Sequence, residues 1–527
     1  MSADTIQRLP ADAAGGSYDL IVIGGGVYGI ALTLESARRG LRVLLLEKDD
    51  FGAHTSWNSL RIVHGGLRYL QHMDLSRFRA SVGERRWFMQ AFPELVRPLR
   101  CLMPLYGEGL KRPLTFGAAL RLNDLLSCKR NQGLAADAQL PGGGILTVAE
   151  TAALFPDVVT EGLQGGGQWY DAHMLSSERL LVEMLRWACG AGATALNYMR
   201  VTGLETENGR VSGVRAVDAD SGAEFRFQSG RVVNCAGPFC EMLGNTLDRV
   251  PEGLFKPSLA YNVLLDRPPP AEVALAVSPA VSPRRPGAAA YFLVPWKGKL
   301  LAGTRHLPCD GDPAQWQAAP PHPGAEEVAR FLEDLNACVP GADYALDQVL
   351  RVQAGLLPAE AAGHADTAKH PVWVDHGRAG GVSGLYSVSG VKFTTARHVA
   401  EGTLKRIYGK QLPHPLPNAT RSEASRHRER FVVGPNAGVA AFAEVAAEES
   451  ALHLTDLLLR RCDWTGTVPE TMHMGREVGQ AMGKVLGWQG DRLEKELSAL
   501  ADTLRQVSAD PAAPSSAGNL SLKEERV

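Results

Sequence analysis

Hydrophobic positions along the chain alternate between short unbroken runs and runs at helical spacing. Tyr18-Asp-Leu-Ile-Val-Ile23 is a short apolar run with the composition of a buried parallel strand. Ile30 to Arg39 carries helical apolar spacing, Gly40 ends it, and Leu41-Arg-Val-Leu-Leu-Leu46 is a second buried-strand run. Leu75 to Phe92 predicts a helix. So does the stretch from Ser177 to Gly192, with Ser176 or Ser177 as N-cap and Glu178 in the first turn. Four short strand candidates follow, separated by the turn signals Asn208-Gly209 and Asp220-Ser-Gly222, and lead into a buried strand from Arg231 to Ala236. Beyond residue 255, strands and turns dominate: Tyr291–Trp296 and Leu300–Thr304 form a hairpin around Lys297-Gly298, and Ala325–Cys338 is helical. Gly384–Gly390 reads as a strand, Val391 opens a helix to Tyr408, and Arg426 to about Val507 is helical again.

This order predicts an α/β protein: a doubly wound, Rossmann-type domain with a β-meander insertion, a mixed-sheet second domain and a C-terminal helical domain. The expected boundaries are a disordered N-terminus over 1–17, a discontinuous nucleotide-binding domain over 18–254 and 350–410, and a second domain over 255–349. A linker over 411–421, the helical domain over 422–507 and a disordered tail over 508–527 complete the chain. The proline-rich run Pro268–Pro286 reads as a surface loop.

Gly24-Gly-Gly26-Val-Tyr-Gly29 sits between the first strand and the first helix, and Glu47 closes the second strand. Strand, glycine triplet, helix, strand and terminal carboxylate together form the dinucleotide fingerprint. Gly24 makes the tight turn, Gly26 lets backbone approach a pyrophosphate, Gly29 allows close packing, and Glu47 accepts from a ribose hydroxyl.

Of 527 residues, 45% are hydrophobic and 21% charged, which suits a globular protein with a large core. A net charge of −2 gives no reason to expect a nucleic-acid partner. The eight cysteines form no C-x-x-C pair, so they read as reduced, mostly buried thiols in a cytoplasmic protein, and no metal site is suggested. Residues 1–17 lack a signal-sequence pattern, and no run is apolar enough to span a membrane. Between Arg97 and Arg130, seven basic residues interleave with apolar ones against Glu108 and Asp124 alone. This pattern suits either a contact with an anionic membrane surface or a folded subdomain with a basic solvated face.

The run Phe51-Gly-Ala-His-Thr-Ser-Trp-Asn-Ser59, followed by His64-Gly65-Gly66-Leu67-Arg68-Tyr69, closely resembles the signature of the FAD-dependent (aerobic-type) glycerol-3-phosphate dehydrogenases. The resemblance extends, with gaps, from Tyr18 to the helices near Leu500. It implies that the dinucleotide is FAD, with Thr55 and Ser56 donating hydroxyls to it and Gly65 and Gly66 lying flat against its ring. The family's small residues at the adenine end correspond to Ala236 and Gly237, and its Pro-Trp … Gly-Thr hairpin to Pro295, Trp296, Gly303 and Thr304. Its glycine turn into a helix corresponds to Ser389–Arg397, with Gly390, Lys392 and Thr394 at the cofactor and Val391 replacing a family glycine. The implied partners are a small hydroxy substrate and a quinone or other electron acceptor. The implied place is the cytoplasm or the inner face of the membrane, as a peripheral protein.

The expected chemistry is hydride transfer from a carbinol carbon to flavin N5. His64 is the candidate base, with local hydrogen bonding as its alternative role. Arg68 can bind an anion bidentately, Tyr69 can orient it, and Lys392 can polarise the substrate oxygen or balance the charge of the reduced flavin. Lys369 lies where the family carries a second anion-binding arginine. A family substrate-facing histidine aligns with Asn262. The family motif Gly-x-Arg-Pro, whose arginine clamps the substrate phosphate, reads here Gly355-Leu-Leu357-Pro358. Arg351 shares a strand face with Leu357 but stands about 20 Å away, too far to replace that arginine. Two other readings remain at this point: an amine or amino-acid oxidoreductase on the same fold, and a flavoprotein subunit without turnover.

Overall fold

The structure, a computed structural model, describes residues 5–107, 109–248, 254–278, 290–309, 316, 321–416, 439–462, 464 and 466–508. The second half of the proline-rich loop, the linker beyond residue 416, the start of the C-terminal helical region and the tail after Ser508 lie outside them.

Leu20–Ile23 is fully buried and runs parallel to Val43–Leu46 on one side and Val232–Asn234 on the other. Thr194–Leu196 and Leu385–Ser389 extend this array in parallel, and Val372–Asp375 adds an antiparallel edge, giving six strands. Strands covered on both faces need apolar residues at every position, which explains the unbroken runs. Helices Val27–Ala37, Ser177–Gly190 and Ala396–Tyr408 cover one face through Ile30, Leu34, Leu181, Leu185 and Leu404. Ser176 caps the second of these, its hydroxyl oxygen accepting from the Arg179 N–H at 3.1 Å. The meander, Met199–Glu207, Arg210–Asp218 and Glu224–Ser229, covers the other face through Val201, Val214 and Phe227.

The second sheet has nine strands, and its origin along the chain corrects the expected boundaries. Pro257–Leu265 pairs with Lys299–Pro308 on one side and with Val349–Pro358 on the other, so residues 349–358 belong to this sheet and not to the nucleotide-binding domain. Val96–Leu105 and Gly165–Met174 also join it, although both fall inside the stretch 18–254. Ala325–Cys338 packs on it through Val328, Phe331 and Leu335. The N-terminal residues expected to be disordered are ordered from residue 5. Ile6 is buried in the main core, Arg8 pairs with Asp218 at 2.6 Å, and Ser17–Tyr18 pairs with the meander.

The stretch 97–130 divides in two. Leu99, Leu102 and Leu105 point into the core from a sheet strand, so a membrane contact cannot include them. Helix Pro113–Leu126 buries Leu120 but leaves Leu114 91% and Leu125 72% exposed, beside exposed Arg112, Arg121 and Lys129. Among the described residues no helix is long and apolar enough to cross a membrane. The C-terminal helices Val439–Glu448, Val468–Leu486 and Arg492–Val507 form a cluster of their own around Leu454, Leu458, Val478 and Leu500.

Candidate functional site

The C-terminal ends of the parallel strands open onto a groove of about 540 Å³. It runs across the strand order, from Glu47 after Val43–Leu46, past Gly24 and Cys235, to Ser389–Phe393 after Leu385–Ser389. This is where ligands bind in open α/β sheets. Its opposite wall comes from the nine-stranded sheet, through Ala260, Asn262, Thr304 and Gly355–Pro358, and from the loop Gly52–Leu60.

At the fingerprint turn Gly24 has φ +106°, and a Cβ there would stand 2.6 Å from the Cys235 carbonyl oxygen, so only glycine fits. Glu47 accepts from the Gly25 N–H at 2.5 Å and from the Asp49 N–H at 2.9 Å. Burial, reinforced by the charge of Asp49, pushes its carboxyl above the usual range. Glu47, Asp49 and His54 bring three ligand-type atoms within 4.8 Å of one another; His54 is hydrogen-bonded to Asp49 at 2.7 Å. The Val27 N–H, first in its helix, donates to Ser56 Oγ at 2.9 Å. A Cβ on Gly26 would stand 3.1 Å from that oxygen, closing the cradle at the helix N-terminus. A bare backbone turn, a positive helix end, a hydroxyl and a carboxylate one strand over are the donor and acceptor set that FAD requires, so the residues present fit it.

At the other side of the groove Tyr28, from inside the fingerprint, fixes the glycine turn after Ser389. Its hydroxyl accepts from the Lys392 N–H at 3.0 Å and donates to the Lys392 carbonyl oxygen at 2.8 Å. Burial pushes the Tyr28 hydroxyl far above its ordinary pKa, so it stays protonated. The Lys392 ammonium donates to the Tyr69 hydroxyl and lies 4.5 Å from the Tyr69 ring centroid. Asn262 is tied on both sides: its Nδ2 donates to the Asn58 carbonyl at 3.0 Å and its Oδ1 accepts from Thr304 Oγ1 at 2.8 Å. Leu357 lines the groove with them, half-buried.

His64 Nδ1 is 3.1 Å from Asp171 Oδ2, and its side chain is 47% exposed. Asp171 is buried and also accepts from the Gly65 N–H at 2.6 Å, Arg85 Nη1 at 2.8 Å and Trp169 Nε1 at 3.3 Å. Burial raises its pKa, but the His64 hydrogen bond and charge, with Arg85, outweigh burial and hold the carboxyl well below the usual range. The His64 ring packs 5.3 Å from Phe292, whose strand pairs it with Gly303 opposite Asn262.

Of the expected cofactor residues, Gly24, Gly26, Glu47, Thr55, Ser56, Ala236, Gly237, Gly390 and Lys392 line the groove; Gly29 packs behind the turn and Thr394 is buried behind Phe393. His64, Gly65 and Gly66 stand off the groove lining. A Cβ on Gly65 would meet the Arg85 guanidinium at 2.1 Å, and Gly66 has φ +87°, so these glycines serve the Asp171–Arg85 pair and a turn. Tyr69 reaches the site through Lys392. Arg68 is exposed and off the lining, and its charge, after burial, helps lower the pKa of His306. Lys369 is also displaced: it is exposed, bonded to Glu360 at 2.8 Å, and does not line the groove. Arg351 turns toward the C-terminal helices, donating to the Trp464 carbonyl. Sequence reasoning missed Tyr28, Asn58 and Asp171. Tyr28 stands inside the fingerprint and Asp171 inside the Tyr170-Asp-Ala-His run, but their roles depend on partners far along the chain.

Residues 19–403 match the DAO family of FAD dependent oxidoreductases. The glycerol-3-phosphate dehydrogenase of Synechocystis sp. is 32% identical over 425 residues, covering 76% of this chain and 74% of that protein. The mitochondrial glycerol-3-phosphate dehydrogenase of Macaca fascicularis is 28% identical over 73% of this chain, which spans 52% of that longer protein. The crystal structure of the glycerol-3-phosphate dehydrogenase from Bacillus halodurans complexed with FAD superposes with a TM-score of 0.70 over 95% of this chain and 97% of that one, at 21% identity. At that identity the likeness speaks for the fold.

Proposed function

Because the chain belongs to the FAD-dependent oxidoreductases, and among them to the glycerol-3-phosphate dehydrogenase family, we propose that it oxidises a secondary alcohol of a small hydroxy compound and hands the electrons to a quinone or similar acceptor. Bound FAD supplies the hydride acceptor. The proton of the substrate hydroxyl is assigned to His64, which stands off the groove lining, half-exposed and held by Asp171. Asp171 holds the Nδ1 side of that ring, which assigns the proton to Nδ1 and leaves the Nε2 lone pair free to accept. Lys392 offers positive charge to the substrate oxygen as negative charge develops on it.

The observation that carries the substrate reading is Leu357 on the groove wall, opposite Ser258 on the strand that carries Asn262. A leucine there contributes no charge-assisted contact. Loss of a bidentate arginine–phosphate contact costs on the order of a few kcal/mol, about a hundredfold in binding. The preferred substrate is therefore less dependent on phosphate than glycerol 3-phosphate, or more apolar near Leu357. Steady-state kinetics of wild type and Leu357→Arg test this. The arginine variant is expected to gain about a hundredfold in kcat/KM for glycerol 3-phosphate relative to uncharged polyols. Efficient wild-type turnover of glycerol 3-phosphate, with no gain in the variant, would restore the plain family substrate.

Membrane association, where the acceptor would be met, is assigned to helix Pro113–Leu126. Its exposed Leu114 and Leu125, with Arg112, Arg121 and Lys129 also exposed on the same segment, suit an anionic bilayer surface.

A further inference from the structure

The helices beyond residue 439 lie outside the stretch 19–403 that the family match covers. They hold one wall of the cofactor groove, the loop from Asp50 to Asn58, at both of its ends. At the first end the fully buried Asp50 carboxylate accepts from Arg460 Nε at 2.6 Å and from Arg461 Nη1 and Nη2 at 2.8 Å each. Asn197 bridges the same carboxylate, at 3.1 Å, to the Ser450 carbonyl, at 2.7 Å. One residue earlier, the Asp49 carbonyl accepts from the Tyr198 N–H at 3.0 Å, and the Tyr198 hydroxyl donates to Asp456 at 2.7 Å. At the second end Trp57 turns its side chain away from the groove into the apolar cluster of the C-terminal helices, among Leu454, Leu458, Val478 and Leu500. Between the two grips, Ala53, His54, Thr55 and Ser56 line the groove, and Ser56 holds the helix N–H of Val27.

We infer that the C-terminal helical domain is a cofactor clamp: acting through Asp50 and Trp57 as positioning residues, it pre-orders the loop that walls the FAD groove. A surface loop released from these grips would have to be ordered by FAD itself, and that ordering entropy would be subtracted from the binding free energy. The two grips differ in chemistry, one ionic and buried, the other apolar, so each can be released separately. The inference rests on FAD as the cofactor and not on the identity of the substrate.

The test is the FAD affinity of the full-length holoenzyme, read from flavin fluorescence on serial dilution, with the melting temperature of each protein measured alongside. Trp57→Ala leaves every buried charge paired and is the main variant; Asp50→Asn releases the ionic grip. Leu335→Ala is the control. Leu335 is buried in the core of the nine-stranded sheet, away from the groove lining and from the C-terminal helices. Trp57→Ala and Asp50→Asn are expected to raise the FAD Kd between about tenfold and a few hundredfold. Leu335→Ala should lower the melting temperature while leaving the Kd near wild type, and Trp57→Phe should recover most of the affinity. Wild-type FAD affinity in Trp57→Ala and Asp50→Asn would overturn the inference. So would an equal weakening in Leu335→Ala, because the effect would then follow overall stability. Failure of every hydroxy compound as substrate would overturn the functional reading and leave these affinities unchanged.

Discussion

At the scale of single residues, the proposed base is held by Asp171. Its carboxylate collects four hydrogen bonds, from His64, Gly65, Arg85 and Trp169, and stays ionised while buried. A base held this way keeps one tautomer and one orientation, as a proton acceptor must. Asp171→Asn is expected to slow flavin reduction by about a hundredfold or more while FAD stays bound. His64→Gln should cost a similar factor, and the double variant little more than either single one, because the two act as a unit. Stopped-flow reduction under anaerobic conditions measures this; independent, multiplying losses would contradict the pairing. His64 was named from the sequence because it stands in a dense motif. Asp171 was not, since its partner lies 107 residues away. Lys369 was named by its position along the chain, and in the structure it pairs with Glu360 on the surface.

At the scale of elements, sequence periodicity located most helices and turns within a few residues. Leu75–Ala91, Ser177–Gly190 and Ala325–Cys338 follow local apolar spacing, and Asn208-Gly209 and Lys297-Gly298 carry the positive φ values that two-residue hairpin turns need. Sheet membership was not legible, because pairing is decided by distant partners. Val96–Leu105 and Val349–Pro358 look like ordinary apolar or basic-apolar runs until Gly165–Met174 and Pro257–Leu265 are set beside them. Within 97–130, that outcome leaves helix Pro113–Leu126 as the part with exposed apolar side chains for the proposed membrane contact. In liposome cosedimentation, Leu114→Ser with Leu125→Ser should reduce binding, and so should Arg112→Glu with Lys129→Glu. Raising salt should weaken only the charged contribution. Unchanged binding in both pairs would remove the helix from consideration.

At the scale of the whole molecule, a parallel sheet supplies the cofactor turn, a nine-stranded sheet supplies the substrate wall, and the C-terminal helices hold the loop between them. The fold class was readable from the first thirty residues of the fingerprint, because that arrangement of strand, glycines, helix and carboxylate is local and physically demanding. On the groove wall from the nine-stranded sheet one position, Leu357, was named from the sequence as a departure from a family pattern. The central claim is that this framework oxidises the carbon of an alcohol at a site that does not depend on a phosphate clamp. Anaerobic titration of the FAD-loaded protein with uncharged polyols, glycerol 3-phosphate and amino acids, followed by flavin absorbance, tests it most directly. The expected result is bleaching by hydroxy compounds, with uncharged or apolar-substituted ones at least as effective as glycerol 3-phosphate, and none by amino acids. Bleaching by amino acids alone, or by glycerol 3-phosphate alone, would contradict it.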